Sequence, residues 1–177
     1  MKVREIWFPS LVALMLLLGG CGEDDPFGPG DWHSAQSSGI ALEWKVDGDD
    51  LAVRLTAPST GWIAVGFDPE SGMRNANIII GYVDDDGHHL RDDFGTSQSS
   101  HMSDLSLGGF DDVTHEDGYE EGDETQIEFV IPLDSEDIYD KPLSEGLTYT
   151  VLLAYGEDGA DDFESQHELC TSMEIEI

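Results

Sequence analysis

The stretch Gly61 to Tyr82, GWIAVGFDPESGMRNANIIIGY, constrains this chain more than any other. Trp62, Ala64 and Gly66 interleave with Ile63, Val65 and Phe67 as two period-2 sets, and Asn77 to Tyr82 resumes as a second β-branched run. Alternation of that kind predicts two strands. Between them lies Asp68-Pro-Glu-Ser-Gly-Met-Arg-Asn, a polar Gly/Pro loop whose only apolar side chain is Met73. A thioether in such a loop either tucks under the sheet as a gap-filler or ligates a metal or haem.

Other strands follow the same grammar. Ile40 to Val46 and Leu51 to Ala57 are joined by Asp47-Gly48-Asp49-Asp50, a hairpin signal. Further strands are expected at His88 to Phe94, Thr125 to Ile131, Leu147 to Tyr155 and Ser172 to Ile177. Beyond the first twenty residues no stretch sustains a 3.6-residue apolar period, and clusters of Gly, Asp and Pro punctuate throughout. The expected fold is all-β: an immunoglobulin-like β-sandwich of eight or more antiparallel strands. Gln98 to Tyr119 reads as a long irregular connection, a kind of segment that often borders a binding site. Ser135 to Tyr139 is expected to form one helical turn. No internal repeat is evident.

The N-terminus carries export signals. Lys2 and Arg4, with Glu5 beside them, precede an apolar run from Leu11 to Leu18, too short for an ordinary transmembrane helix. Leu18-Gly19-Gly20-Cys21 follows and resembles a bacterial lipobox, whose cysteine is acylated and becomes the first residue of the mature chain; the bland alternative is a plain secretory signal with an incidental cysteine. Residues 1–20 are thus expected to be a lipoprotein signal peptide. Gly22 rather than aspartate after the cysteine favours the outer membrane over the inner one, with the protein facing the periplasm or the surface. Glu23 to Asp31 is rich in charge, Pro and Gly, so residues 21–38 read as an acylated cysteine and flexible acidic tether, with the folded domain over 39–177. Cys170 then has no partner within the chain and reads as a buried small hydrophobe or an intermolecular linker.

The formal net charge is −32 at pH 7. Past the signal, Lys45, Arg54, Arg74, Arg91 and Lys141 are the only Lys and Arg. Such a field repels nucleic acid and anionic lipid surfaces as partners. It suits a solvated surface in high salt, where the Debye length falls to about 3 Å at 1 M, or else the binding of a divalent cation. Asp84-Asp85-Asp86-Gly87, Asp111-Asp112 and Asp158 to Asp162 do not reproduce the EF-hand loop. Asp86-Gly87 is better explained as a hairpin turn, and the solvated surface is the favoured reading.

Taken in order, Gly61 to Phe67, Gly72-Met73, the strand ending Val83-Asp84-Asp85, Leu107-Gly108-Gly109, Tyr139-Asp140-Lys141-Pro142-Leu143, Tyr149 to Tyr155 and Asp162-Phe163-Glu164-Ser165-Gln166-His167 resemble the DOMON domain family. The resemblance runs from about Ile40 to the C-terminus. It implies a β-sandwich holding a b-type haem or, for some members, a sugar. In haem-binding relatives a methionine in the loop after the Gly-Trp strand and a histidine near the C-terminal strand are the axial ligands. The matching positions are Met73 and His167, 94 residues apart.

Imidazole and thioether together favour low-spin iron with a raised potential, and with both axial positions filled the implied task is electron transfer with a redox partner in the cell envelope. Relatives commonly place a basic residue and a glycine just after the histidine, whereas Glu168-Leu169-Cys170 follows here. Arg74, or alternatively Arg91, would have to supply the cation for a propionate. By composition alone His167 reads as a solvated or acid-paired histidine. Trp62, Phe67, Ile79, Tyr82, Phe94 and Phe163 are available as haem walls or as sandwich core. His88-His89, His101-Met102 and His115 form a second set of candidate ligands, with His101-Met102 able to replace either proposed ligand or to bind copper with a nearby histidine. No nucleophile elbow, phosphate-cradling loop, C-x-x-C or C-x-x-C-H occurs, so covalent haem is excluded and an enzyme active by itself is not expected. The competing expectation is a non-enzymatic module that binds a sugar or an envelope polymer.

Overall fold

A computed structural model describes residues 25–177. The chain forms β1 (His33–Ser37), β2 (Ile40–Asp47), β3 (Asp50–Ala57), β4 (Ile63–Phe67), β5 (Asn77–Asp84), β6 (Gly87–Ser97), β7 (Ser100–Ser103), the four-residue helix α1 (Asp104–Leu107), β8 (Thr114–Glu121), β9 (Glu124–Pro132), β10 (Thr148–Gly156) and β11 (His167–Glu176). All pairings are antiparallel. One sheet runs β1-β2-β3-β9-β8 and the other β11-β10-β4-β5-β6-β7. The two face each other as a β-sandwich. Among the described residues no helix is long and apolar enough to cross a membrane.

Side chains alternate across each strand, so every second residue enters the space between the sheets. From the five-stranded sheet Leu42, Trp44, Val53, Leu55, Ile127 and Phe129 point inward, and Ile63, Val65, Phe67, Ile79, Val151 and Leu153 meet them from the other. The closed end of this core is tied by the Trp44 indole, which donates to the Glu176 carbonyl at 3.0 Å. Fully burying one such Leu, Ile or Phe side chain stabilises the fold by about 1.5–3 kcal/mol.

The strands that sequence periodicity missed are edge strands. β1, β7 and β8 read HSAQS, SHMS and THEDGYEE. They pair through backbone rather than through an apolar face, and polar, charged edges of this kind discourage pairing with another chain. The connection expected over Gln98 to Tyr119 therefore contains β7, α1 and most of β8. The helical turn expected at Ser135 to Tyr139 does not form. There Ser135, Asp134 and Asp137 side chains capture the amides of Asp137, Glu136 and Tyr139, and Glu136 adopts φ 61°; such local bonds compete with helix.

The acidic tether also departs from expectation within the described residues. Residues 33–37 are a strand, and Asp25 to Trp32 fold onto the outer face of the five-stranded sheet. The Arg54 guanidinium lies 4.4 Å from the Trp32 ring centroid and donates to the Phe27 carbonyl at 2.9 Å. A cation over aromatic faces holds the segment down. Cys21, the signal segment and its cleavage point lie outside the described residues. The Asp86-Gly87 hairpin turn is as expected: Asp84 Oδ1 accepts from the Asp86 amide at 2.8 Å and Gly87 adopts φ 122°.

At the β6 edge the inner face is covered by the α1 to β8 connection and the β9 to β10 connection, and these bring carboxylates inside. Asp92 on β6 and Asp104 at the start of α1 are 2% and 1% exposed. Burial first, then the charges of Asp140 and Asp104, push Asp92 up to about 9. Burial and the charges of Asp140 and Asp137 push Asp104 up to about 7. Asp140 is raised to about 6, again chiefly by burial.

All three folded-state values lie above the unfolded one, so the native state binds more protons between them. Their stabilising contribution is complete below about pH 4 and disappears as pH rises through about 6 to about 9. In chelator-containing buffer the melting temperature is expected to fall across that window. Thermal melts of wild type and Asp92→Asn test this, the variant having the shallower slope; parallel slopes would contradict it.

Candidate functional site

The central strands of the six-stranded sheet, β10, β4 and β5, are largely apolar on both faces, and only one face meets the other sheet. Cross-strand register puts Leu152, Gly66 and Ile78 in one row of the outer face, and Ala154, Ala64 and Ile80 in the next. Trp62, Ala64, Ala76, Ile78 and Ile80 are buried there as a second apolar cluster, with Met73, Tyr82, Leu152 and Phe163 packed around them. Small residues leave the middle of this floor low. Above it opens a cleft of about 780 Å³, within the ordinary range for ligand pockets.

Met73 and His167 both line this cleft. The structure thus brings the two sequence-predicted residues to one cavity from opposite sides. Met73 is held by its backbone: its amide donates to the Gln98 carbonyl at 3.1 Å, and its own carbonyl accepts from Ala76 at 3.0 Å. The loop lies directly on β6 because Gly95 lacks a side chain; a Cβ there would sit 1.6 Å from the Met73 oxygen. Gly72, at φ +60°, would likewise place a Cβ 2.3 Å from the Gln98 oxygen. The loop is therefore clamped between β6 and the β6–β7 turn.

His167 arrives by a different device. Cys170 pairs with Ala154 and Leu169 with Tyr155, but Gly156 pairs with His167, so Glu168 is the extra residue of a bulge. Strict alternation from Cys170 would point residue 167 into the core. The bulge instead gives His167 the same face as Gly156 and Ala154, re-aiming its side chain into the cleft. Among the described residues the imidazole makes no hydrogen bond. The preceding loop is pinned by Trp62, whose indole donates to Ser165 Oγ at 2.8 Å and whose amide donates to the Ala160 carbonyl at 3.0 Å. Gly61 and Gly156 make room for this approach: a Cβ on either would meet the Glu157 oxygen at 2.2 Å or the Trp62 indole at 2.5 Å.

Arg74 is not brought to the site. It follows Met73 but is exposed and absent from the cleft lining. Arg91 lines the cleft instead. Its guanidinium grips Asp93 with two bonds of 2.6 and 2.7 Å, lies 4.4 Å from the Phe163 ring centroid and approaches Glu164 at 3.7 Å. Asp93 is fully buried and also binds His101 Nδ1. Burial opposes the Arg91 charge, but the bonds and charge of Asp93, with Glu164 behind them, hold its pKa above the usual value. His101 reaches the cleft too, yet its Nδ1 is committed to Asp93.

The remaining expected ligands lie elsewhere. His89 bonds Asp84 at 3.1 Å, His88 stands 3.7 Å from Asp117, and His115 is exposed. Of the candidate wall residues, Phe67 and Ile79 belong to the sandwich core. Trp62, Tyr82 and Phe163 belong to the outer cluster, and Phe94 packs edge-on against Tyr139 at 5.4 Å. Cys170, for which burial was expected, is exposed on the outer face of β11 at the cleft wall. Sequence reasoning left Arg91 second to Arg74 and missed Asp93 as its anchor; the signal available was the period-2 placement of Arg91 and Asp93 on one face of a predicted strand.

Residues 36–156 match the family model described as DOMON domain. This chain belongs to the DOMON domain family. The matched stretch includes Met73 and ends before His167. DBH-like monooxygenase protein 1 of Homo sapiens is 30% identical over 121 residues, covering 68% of this chain and 19% of that protein. Its Mus musculus counterpart is 27% identical over 128 residues, 72% of this chain and 20% of that protein. This chain thus spans about a fifth of the curated relatives it matches. Among solved structures, the cytochrome b domain of pyranose dehydrogenase from Coprinopsis cinerea superposes with a TM-score of 0.56 at 13% identity, covering 77% of this chain and 76% of that one. The cytochrome domain of Myriococcum thermophilum cellobiose dehydrogenase gives 0.53 at 10% identity, covering 82% and 81%. The DOMON fold expected from sequence is therefore the fold observed.

Gly95→Ala should push the Met73 loop off β6 and cost about 1–3 kcal/mol, the usual range for overpacking. Urea unfolding of the variant against wild type reads this directly; an unchanged midpoint would show that the loop is not clamped as described.

Proposed function

We propose that this DOMON domain binds a b-type haem in the cleft over the outer face of the six-stranded sheet and passes single electrons between redox partners of the cell envelope. The observation that carries this reading is the convergence of Met73 and His167, the first clamped by Gly95, the second re-aimed by a bulge, over a flat apolar floor. The residues present fit the group. Ala64, Gly66 and Ala154 leave space for a planar macrocycle, and Ile78, Ile80 and Leu152 offer it an apolar surface. An imidazole and a thioether are the donor pair; haem so held supplies a one-electron iron couple raised in potential by the thioether.

The chain's own residues then do four things. Met73 and His167 would hold the iron with a thioether and an imidazole, the donor pair that suits it to electron transfer rather than to substrate binding. Trp62 fixes the loop that ends at His167. Arg91, kept in place by Asp93, presents a cation to a carboxylate at the cleft wall, in the role first considered for Arg74. The rest of the outer cluster excludes water. The resulting domain is an electron carrier rather than a catalyst.

The alternative, a sugar-binding module, draws less support from the aromatic rings. Trp62 is 5% exposed, and Tyr82 is taken up by His89 at 4.7 Å and Phe163 at 5.0 Å, so neither ring offers a free face for stacking. We further propose export of the chain and acylation at Cys21, with anchoring to the bacterial membrane, outer rather than inner; mass spectrometry of the purified chain for a diacylglyceryl N-terminus tests that part alone.

After reconstitution with haem, the full chain is expected to show a sharp low-spin α band in the reduced-minus-oxidised spectrum. Met73→Ala and His167→Ala should each abolish it while the melting transition persists. Arg91→Ala should weaken haem affinity about tenfold, as expected for loss of a charged hydrogen bond, and Arg74→Ala should not. Low-spin spectra in both ligand variants would overturn the assignment. A featureless wild-type spectrum combined with thermal stabilisation by an envelope polysaccharide would move it to the sugar-binding module.

A further inference from the structure

On the opposite face of the same sheet from the cleft, four aspartates from four separate segments converge at the sandwich edge. Asp92 comes from β6, Asp104 from the first position of α1, Asp112 from just before β8, and Asp140 from the β9–β10 connection. Asp92, Asp112 and Asp140 each place a carboxylate oxygen so that all three lie within 4.8 Å of one another. Asp104 stands close enough for its charge to act on Asp92 and for that of Asp140 to act on it.

The bonding of these oxygens is one-sided. One oxygen of Asp92 accepts from the Asp112 amide at 3.2 Å, and one of Asp140 accepts from Ser135 at 2.5 Å. No donor group reaches the other oxygen of each, one oxygen of Asp112 or either oxygen of Asp104, and Asp112 and Asp140 lie close enough to share a proton. Asp92 and Asp104 are 2% and 1% exposed, so neither carboxylate opens to bulk solvent. Leaving a buried polar atom unpaired costs about 1–3 kcal/mol, more for a charged one. Three of these atoms, one each on Asp92, Asp112 and Asp140, lie together and call for a common partner. Among the described residues no Lys, Arg or His pairs with any of the four: Lys141, next in sequence to Asp140, reaches Asp68, and the β6-edge bases Arg91 and His101 both turn to Asp93.

We propose that Asp92, Asp112 and Asp140, with Asp104 as a neighbouring charge, form a binding site for a hard divalent cation of the calcium type. The donors are all oxygen, which selects a hard ion over zinc or copper. They come from loops and strand edges of unequal reach, and calcium accepts irregular coordination by mono- or bidentate carboxylates where magnesium demands a near-ideal octahedron and keeps its waters. Occupied, the site staples the α1–β8 and β9–β10 connections to β6. It is separate from the haem proposal, sharing only β6 with that cleft.

The test uses the full chain in detergent, stripped with chelator and exchanged into calcium-free buffer at 0.15 M NaCl. Competition with a chromogenic chelator is expected to report one Ca²⁺ per chain, with a dissociation constant below about 0.1 mM, and Mg²⁺ bound more weakly. At a hundredfold excess over that constant the melting temperature should rise by about 5–10 °C. Asp92→Asn/Asp140→Asn should lose the tight site and most of the shift, whereas Asp85→Asn/Asp86→Asn, on the exposed β5–β6 hairpin, should keep both. No tight site in wild type would overturn the proposal, as would an equal rise in all three proteins, which would mean screening of surface charge alone. If the Asp92→Asn/Asp140→Asn protein fails to fold, the wild-type stoichiometry, read against the Asp85→Asn/Asp86→Asn protein, still decides.

Discussion

The structure depends on one constraint: the central strands of the six-stranded sheet are apolar on both faces, and the sandwich covers only one of them. In β4 all five residues are buried, and β5 begins with five buried residues in succession. A sheet with one wet face does not look like this. Something must shield the second face, and the chain supplies part of the shield itself. The β4–β5 loop folds over one side with Met73, and the β10–β11 loop folds over the other with Phe163 and His167. What lies between these two flaps is a cleft with an apolar floor, which is a binding site by construction rather than by the presence of any one residue.

Each flap is located by glycine. Gly95 and Gly72 let the Met73 loop touch the backbone of β6 and of Gln98, while Gly61 admits the Glu157 carbonyl and Gly156 admits the Trp62 ring. These contacts leave no room for a methyl group. The Gly-Trp pair that opens β4 is therefore less a strand signal than a hinge pin for the segment carrying His167, which explains why an indole at the mouth of a cleft is nearly buried.

Much of this was legible in the sequence, and what was not has identifiable causes. The strands with an apolar inner face were readable within a residue or two at β2, β3, β5 and β9, because period-2 burial is a strong signal. The edge strands β1, β7 and β8 carry no such face, and their pairing is a backbone matter that polar sequence hides. β11 was read as starting at Ser172 because its first half is amphipathic only weakly and is interrupted by the Glu168 bulge; the bulge is also why counting alternation would have turned His167 inward. Met73 was identifiable as an apolar residue stranded in a polar loop. Arg74 looked the better cation by adjacency along the chain, but adjacency in a tight loop sends neighbouring side chains to opposite sides, whereas Arg91 lies across the register from Ile80 and therefore on the cleft floor.

β6 shows how the same strand serves two unlike environments. Asp92 and Asp93 are consecutive, so the pleat sends one into the sandwich edge and the other to the cleft. Both carboxylates are buried, yet they are treated differently. Asp93 receives two bonds from Arg91 and one from His101, and a buried charge so paired is stable. Asp92 receives a single amide bond and faces three other carboxylates. With so few basic residues available beyond the signal segment, the chain has assigned Arg54 to its N-terminal segment, Lys141 to Asp68 and Arg91 to the cleft. Among the described residues none pairs with a carboxylate at the inner edge of β6. The acidity of the surface can be balanced by water and salt, whereas the buried cluster is relieved either by protonation, as the raised pKa values of Asp92 and Asp104 reflect, or by the cation proposed above. Because Asp92 and Asp93 share a peptide bond, whatever fixes the first also fixes the backbone from which the second holds Arg91 at the cleft.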